Sequence, residues 1–230
     1  METNIINFYT LPGVKQFMPK TINPNFNLHN ISVPFRMTVV GASGAGKSNC
    51  VLNLISQMSN TFNHIYIFTK AEEPLYNYLQ SRFDDDLLTI KYGVEELKKF
   101  DDSEIYGQSL MIFDDYCTES KKDQKYISDM YIRGRKMGCS SIYLTQMYFE
   151  TPKIIRGQSN YIVILKVQQV RDLQLILKEF ELGVTLDELK RLYQKCCADN
   201  DIKTFLTIDL QDNTGEKKFR CGFNVFLKND

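Results

Sequence analysis

The stretch Met37-Thr-Val-Val-Gly-Ala-Ser-Gly-Ala-Gly-Lys-Ser48 decides the fold of this chain. Its second part, from Gly41 to Ser48, matches the pattern GxxxxGK[ST], in which a glycine-rich loop surrounds the phosphates of a nucleotide. The apolar run Met37–Val40 predicts a strand directly before the loop. After the loop, apolar residues at helical spacing predict an amphipathic helix from Lys47 to Met58. Strand, loop and helix therefore come in the order that a phosphate-binding loop requires.

The composition of this loop suits a triphosphate. A triphosphate needs many N–H donors at short range, and glycine permits both the close approach and the unusual dihedral angles. Lys47 would bring a positive charge to the β and γ phosphates, and the Ser48 hydroxyl would bind Mg²⁺. We therefore expect ATP and Mg²⁺ as cofactors, with the phosphates held by Gly41, Ala42, Ser43, Gly44, Ala45, Gly46, Lys47, Ser48 and Asn49. A glycine-rich turn with an incidental lysine is the alternative.

An acidic pair ends a second apolar run, Leu110-Met-Ile-Phe-Asp-Asp115. Two carboxylates at the end of a buried strand favour a chemical role. We expect Asp114 to be linked to the metal and Asp115 to be the base that activates the attacking water. In the alternative interpretation Asp115 only caps the segment that follows.

A polar residue also ends the run Ile142-Tyr-Leu-Thr-Gln146. If this strand lies between the strands that precede Lys47 and Asp114, Gln146 reaches the γ phosphate or the lytic water. Carboxyl ends of strands are where open α/β sheets bind ligands. The alternative is that Gln146 is a hydrogen-bonded loop amide.

Around these motifs, short apolar runs alternate with stretches of helical spacing. This pattern predicts an α/β fold with a mostly parallel central sheet flanked by helices. We expect an extended N-terminal arm over 1–33, a P-loop ATPase domain over 34–230, and a β-hairpin over 203–228 that completes the sheet. The predicted strands are Arg36–Val40, His64–Thr69, Ser109–Phe113, Ser140–Thr145 and Tyr161–Lys166. The predicted helices are Lys47–Met58, Glu73–Arg82, Val94–Phe100, Lys121–Lys136, Val170–Phe180 and Leu186–Cys196.

The composition is that of a globular protein, with 230 residues, 43% of them hydrophobic. Lysine plus arginine and aspartate plus glutamate both number 28, so any binding to nucleic acid depends on a local patch. The six cysteines form no CxxC pair and are interpreted as free thiols in a reducing compartment. No apolar stretch approaches the roughly 20 residues that span a bilayer, which predicts a soluble intracellular protein without membrane insertion.

Taken together, four segments resemble the genome-packaging ATPases of poxviruses, giant viruses and virophages, which belong to the FtsK/HerA superfamily. They are GASGAGKS at 41–48, LMIFDD at 110–115, Arg133-Gly-Arg-Lys-Met-Gly-Cys-Ser-Ser-Ile-Tyr-Leu-Thr-Gln146, and Pro152-Lys-Ile-Ile-Arg156. The resemblance extends over about Pro34 to Leu165 and is specific in order and spacing.

This resemblance implies an ATPase that assembles as a homo-oligomeric ring, a hexamer or a pentamer, and drives double-stranded DNA into a preformed capsid. It implies capsid portal or vertex proteins as partners and virus assembly sites in the host-cell cytoplasm, or the virion, as the location. Lys47, Asp115 and Gln146 would be catalytic, and Ser48 and Asp114 would hold the metal. An arginine from the neighbouring subunit would stabilise the transition state, with Arg156 as first candidate and Arg135 as second.

The DNA contact is predicted from a local excess of positive charge after the acidic pair. The basic residues are Lys121, Lys122, Lys125, Arg133, Arg135 and Lys136, offset by Asp123 and Asp129. A solvated helix face is the alternative interpretation of these residues. Two other functions stay open at this point, a small-molecule or nucleotide kinase and a nucleotide-gated interaction protein without appreciable turnover.

Overall fold

In the computed structural model, which describes residues 6–18, 20–84, 86–197 and 204–228, nine strands form one sheet. They are β1 Arg36–Val40, β2 His64–Thr69, β3 Leu88–Tyr92, β4 Ser109–Asp114, β5 Ser140–Thr145, β6 Tyr161–Ile164, β7 Leu206–Asp209, β8 Phe219–Cys221 and β9 Val225–Phe226. The order across the sheet is β3-β2-β4-β5-β1-β6-β7-β8-β9. Neighbours from β3 to β6 are parallel, whereas β6 to β9 pair antiparallel.

Helices precede the first strand and lie in every connection from β1 to β7. Their bounds are α1 Pro12–Lys15, α2 Phe26–His29, α3 Lys47–Gln57, α4 Pro74–Gln80, α5 Gly93–Lys99, α6 Lys121–Arg133, α7 Lys153–Gln158, α8 Val170–Glu179 and α9 Leu186–Cys197. Helix α6 continues as a 3₁₀ turn over Gly134–Met137, which accounts for the longer helix predicted there.

The predicted α/β class is confirmed, as are the positions of the five predicted strands. Strand β4 extends one residue further, to Asp114, and β6 ends at Ile164 rather than Lys166. Strand β3 and helix α7 were not predicted. Strand β3 lies at the sheet edge and is only partly buried, so its residues lack the continuous apolar run by which the inner strands are recognised.

The core lies on both faces of the sheet, because successive residues of a strand point to opposite sides. Ile67 and Ile112 pack with the α3 side chain Leu54 on one face. Their neighbours Phe68 and Phe113 stack with ring centroids 5.4 Å apart on the other. Burial on both faces explains why these strands read as apolar runs without alternation.

The N-terminal arm predicted over 1–33 is not extended throughout the described residues, since it contains α1 and α2. Its second half packs onto the domain, because Ile31 and His29 are fully buried. Nη1 of the buried Arg220 donates to the backbone oxygen of Asn30 over 2.8 Å, and Arg220 also forms an ion pair with Asp209. The second half of the arm is therefore joined to the last strands of the sheet.

The C-terminal hairpin predicted over 203–228 is present from β7 onward, and residue 203 lies outside the described residues. The second half of the predicted hairpin is divided by a turn into β8 and β9. All three strands extend the sheet beyond β6. No helix among the described residues is long and apolar enough to cross a membrane.

Candidate functional site

The glycine loop joins β1 to α3 at the carboxyl edge of the sheet. A Cβ at Gly41 would lie 2.9 Å from Cβ of Leu165, so this position has no room for a side chain. Gly46 has φ 93°, a left-handed conformation that allows α3 to begin at Lys47. The first N–H groups of an α-helix have no partner within the helix, so they are available to an anion. The loop thus has the backbone geometry of a phosphate cradle.

Lys47 is half-buried beside this loop. Its Nζ donates to the backbone oxygens of Gly41, over 3.0 Å, and Ala42, over 3.3 Å. Burial lowers the pKa of Lys47, and the nearby carboxylates of Asp114 and Asp115 oppose that effect. Both partners are neutral carbonyl groups, so an arriving phosphate would offer the lysine a stronger, charged acceptor.

Asp114 is the last residue of β4 and is 7% exposed. Its Oδ2 accepts a hydrogen bond of 2.7 Å from the hydroxyl of Tyr76, which is fully buried in α4. Burial raises the pKa of Asp114 to about 6; the hydrogen bond from Tyr76 and the charge of Lys47 oppose this shift, while Glu73 adds to it. The protein therefore holds a desolvated carboxyl group at the position predicted for the metal-linked acid.

Asp115 and Gln146 lie together. Nε2 of Gln146 donates to Oδ1 of Asp115 over 3.1 Å, so the loop amide predicted as a polar sensor contacts the predicted base. Asp115 has φ 62°, which is uncommon outside glycine and turns the chain sharply after the strand. Strained backbone of this kind is concentrated at functional sites.

Strand order brings these motifs to one edge. Strand β5 lies between β4 and β1, the arrangement on which the expectation for Gln146 depends. In the register, Thr145 is opposite Val40 and Leu144 is opposite Asp114, so the three strands end at the same level. They border a cleft of about 380 Å³, whose lining includes Ser43, Lys47, Ser48, Asp114, Asp115 and Gln146.

The sequence analysis missed two residues that bond to the predicted site: Glu73, which lines the cleft, and the buried Tyr76. Oγ of Ser48 donates to Oε2 of Glu73 over 2.8 Å, and Tyr76 bonds Asp114. Both come from the start of α4, after β2, which neighbours β4. The available signal was Glu72-Glu73-Pro74, acidic residues and a helix-starting proline just beyond a predicted strand.

The residues present fit a hard divalent cation. Ser48 and Asp114 supply hydroxyl and carboxylate oxygens, which Mg²⁺ prefers. Asp114 also lies near the carboxylates of Glu73 and Asp115, whose negative charges a cation would offset. Within the described residues no group of three or more His, Cys, Asp or Glu side chains could hold a metal alone. A cation here would therefore be bound together with nucleotide phosphate.

The hydrogen bonds of Arg156 all lie within its own chain. This arginine, in α7, is 9% exposed and forms a two-point ion pair with Glu179, with Nη2 2.6 Å from Oε1 and Nε 2.9 Å from Oε2. Its Nη1 donates to the backbone oxygens of Phe149 and Thr151. These contacts engage the guanidinium within its own chain, and the expected role of Arg156 across a subunit interface stays a prediction.

The other predicted basic residues are distributed differently. Arg135 is exposed in the 3₁₀ turn before β5, at the sheet edge opposite the cleft, and within the described chain it forms no ion pair. Arg133 forms an ion pair of 2.7 Å with Asp102. Lys121, Lys122 and Lys125 are exposed near the start of α6. The structure thus brings Lys47, Ser48, Asp114, Asp115 and Gln146 together, and keeps Arg135 and Arg156 apart from them.

A strand, glycine loop and helix, in one sheet with an acid-ended strand, define the class of P-loop nucleotide-binding folds. Within that class, the chain belongs to the poxvirus A32 protein family, whose family model matches residues 25–221. The match begins before the predicted domain, in the part of the arm that packs onto it.

Curated relatives carry the name "DNA packaging protein OPG160". The proteins of variola virus and vaccinia virus are each 29% identical to this chain over an alignment of 142 residues, with 56% of this chain and 52% of the relative covered. The monkeypox virus protein is also 29% identical, with 46% of its length covered. The chain thus spans about half the length of the curated relatives it matches.

Solved structures confirm the fold. The genome packaging NTPase B204 from Sulfolobus turreted icosahedral virus 2, in complex with AMP, has a TM-score of 0.55 at 15% identity, with 84% of this chain and 98% of that chain covered. The DNA-packaging ATPase B204 from Sulfolobus turreted icosahedral virus has a TM-score of 0.54 at 14% identity. The likeness extends over nearly the whole of those chains.

Proposed function

We propose that this protein is an ATP-hydrolysing motor that translocates double-stranded viral DNA into a preformed capsid. The observation that carries the proposal is the convergence of the phosphate loop, Asp114, Asp115 and Gln146 in one cleft, in a chain of the A32 family. The names of the packaging proteins from poxviruses and of the B204 NTPases support the packaging role.

In the proposed reaction, a water oxygen attacks the γ phosphorus of ATP and the bond from that phosphorus to the β–γ bridging oxygen breaks. Asp115 accepts a proton from the water, and Gln146, bonded to Asp115, orients the pair. Lys47 exchanges its carbonyl partners for β and γ phosphate oxygens. Mg²⁺, when bound by Ser48 and Asp114, would neutralise charge on the phosphates.

The motor is proposed to work as a homo-oligomeric ring, at a capsid portal or vertex, during virus assembly in the host-cell cytoplasm. Exposed Lys121, Lys122 and Lys125 are the proposed DNA contacts, because several copies would line a ring with positive charge. With Arg156 held inside its own subunit, exposed Arg135 becomes the first candidate for the arginine that acts on a neighbouring site.

The test is ATP hydrolysis by the purified protein, with and without linear double-stranded DNA, over series of salt and protein concentration. A motor that assembles on DNA shows a rate that rises with DNA, falls with salt and depends steeply on protein concentration. ATP binding without turnover under every condition, with DNA present, would contradict the proposal. Replacing Lys121, Lys122 and Lys125 together by glutamine should remove the stimulation by DNA and leave the rate without DNA unchanged.

A further inference from the structure

The first turn of α4 contacts both residues to which the metal site is assigned. Glu73, the residue before the helix, accepts the hydrogen bond of Ser48, and Tyr76, three positions later, donates to Asp114. Positions three apart lie on the same side of a helix. The backbone oxygen of Glu73 accepts hydrogen bonds of 3.0 Å from the N–H groups of Tyr76 and Asn77, which fixes this turn.

The Ser48–Glu73 contact has the direction that a metal-binding hydroxyl needs. A hydroxyl group has one proton and two lone pairs, so an oxygen that binds a cation must direct its proton toward another acceptor. Glu73 Oε2, 2.8 Å away, is such an acceptor and is already in place. Accepting that proton also makes the oxygen a better donor to the cation, as outer carboxylates do for other metal ligands.

The Tyr76–Asp114 contact acts in the same way on the second ligand. The tyrosine hydroxyl occupies Oδ2 of Asp114 and fixes the orientation of the carboxylate, while no hydrogen bond to Oδ1 is present among the described residues. Tyr76 itself is fully buried, packed in the same core cluster as Leu54 and Ile112. Its hydroxyl therefore has a rigid support.

We propose that Glu73 and Tyr76 are positioning residues for a divalent cation bound with the nucleotide phosphates, Glu73 through Ser48 and Tyr76 through Asp114. The inference rests on the proposed ATPase function, because it concerns the cation of that same site. It assigns to α4 a role beyond packing, since the helix sets the orientation of two ligands that come from α3 and β4.

The test measures cation and nucleotide binding separately, with Mn²⁺ and ADP as probes. Mn²⁺ affinity of the protein–ADP complex is read by electron paramagnetic resonance, and ADP affinity is read by calorimetry in EDTA. Glu73→Ala and Tyr76→Phe should each weaken Mn²⁺ binding by about 10- to 100-fold, the range known for outer-shell partners of metal ligands. ADP affinity in EDTA should stay within about twofold of that of the unmodified protein.

Matched control variants show whether a loss of Mn²⁺ affinity comes from the particular positions of Glu73 and Tyr76. The alternative causes are the removal of any negative charge or any hydroxyl group in this region. Glu72→Gln removes one negative charge from the exposed neighbour of Glu73, and Tyr78→Phe removes a hydroxyl from an exposed tyrosine of α4. Both should leave Mn²⁺ affinity within about twofold. Glu73→Gln keeps an acceptor for Ser48 and should restore most of the affinity lost in Glu73→Ala. Melting curves of each variant establish that it is folded.

A double-mutant cycle tests the route through Ser48. If Glu73 acts by orienting this hydroxyl, Glu73→Ala should weaken Mn²⁺ binding by less than about twofold in a Ser48→Ala background. If Glu73→Ala weakened Mn²⁺ binding equally with Ser48 and with Ser48→Ala, an action of Glu73 through Ser48 would be overturned. Unmodified protein that binds Mn²⁺ and ADP, with folded variants that bind Mn²⁺ equally well, would overturn this inference alone. Failure of the unmodified protein to bind ADP under any condition would overturn the proposed function itself.

Discussion

Lys47 and Arg156 are both cations in contact with backbone carbonyl groups, but their surroundings differ. Lys47 is half-buried beside an open cleft, and its two hydrogen bonds, of 3.0 and 3.3 Å, are to neutral carbonyl oxygens. Arg156 is 9% exposed and bonds two carbonyl oxygens and both oxygens of Glu179. One cation thus has weak partners that a ligand can replace, whereas the other has a full set of strong partners.

From this difference we predict that Lys47 binds a ligand and that Arg156 stabilises the fold. A charge-assisted hydrogen bond is about twice as strong as a neutral one, so a phosphate can displace the partners of Lys47. Displacing Glu179 from Arg156 costs more, since removal of one partner leaves a buried charge without compensation. Substitution of Lys47 should therefore change ATP hydrolysis, whereas substitution of Arg156 should change the free energy of unfolding.

The largest expected effect comes from Lys47→Ala. The substitution removes the positive charge from the β and γ phosphates and should abolish ATP hydrolysis, measured by phosphate release. The free energy of unfolding should change little, because the lost hydrogen bonds are to loop carbonyls beside solvent. Normal turnover in this variant would contradict the assignment of the cleft.

The next effect is that of Arg156→Ala on stability. Breaking a buried ion pair costs about 3–5 kcal/mol, so the midpoint of urea unfolding should fall substantially. As a matched control, Arg135→Ala removes an exposed arginine and should change stability by less than about 0.5 kcal/mol. Loss of turnover at unchanged stability in Arg156→Ala would instead support the original expectation, an arginine acting across the subunit interface.

Asp114→Asn is expected to raise the free energy of unfolding, by less than Arg156→Ala lowers it. Burial raises the pKa of Asp114 from 3.8 to about 6, so the folded protein holds this proton more tightly than the unfolded chain does. The unmodified protein therefore loses stability as the pH rises from about 4 to about 6, and the asparagine variant does not.

At pH 7 the Asp114→Asn variant should thus be more stable, by on the order of 3 kcal/mol, and the difference should vanish below about pH 4. Urea unfolding from pH 4 to pH 7 measures it. A difference that does not depend on pH would mean that Asp114 is ionised without penalty. In that case the charge of Asp114 would not lower the free energy of unfolding. The contrast between the cleft and the stabilising ion pair Arg156–Glu179 would then disappear.

Local pattern was enough to predict the phosphate loop and the parallel strands other than the edge strand β3. Each buried strand is a short apolar run, and the loop is defined by spacing over eight residues. The position of Asp114 and Gln146 near the phosphate loop was also predictable, because the carboxyl ends of parallel strands meet at one edge of a sheet. These features depend on residues that are close in sequence or on a general property of sheets.

Contacts across the chain were not predictable in this way. Ser48 and Glu73 are 25 residues apart, and Arg156 and Glu179 are 23 apart, so no local spacing relates them. An arginine in an exposed loop and one in a buried pair look alike in the sequence. Only the packing of α7 against its surroundings distinguishes the two cases for Arg156.

The bond between Arg220 and Asn30 has a consequence for synthesis of the protein on the ribosome. Its partners are 190 residues apart, so at about 5–20 residues per second roughly 10–40 s separate their appearance. The residues of the phosphate cleft, from Gly41 to Gln146, all emerge before Arg220 does. The backbone oxygen of Asn30 therefore stays without Arg220 until the last strands are made, after every residue of the cleft has been synthesised.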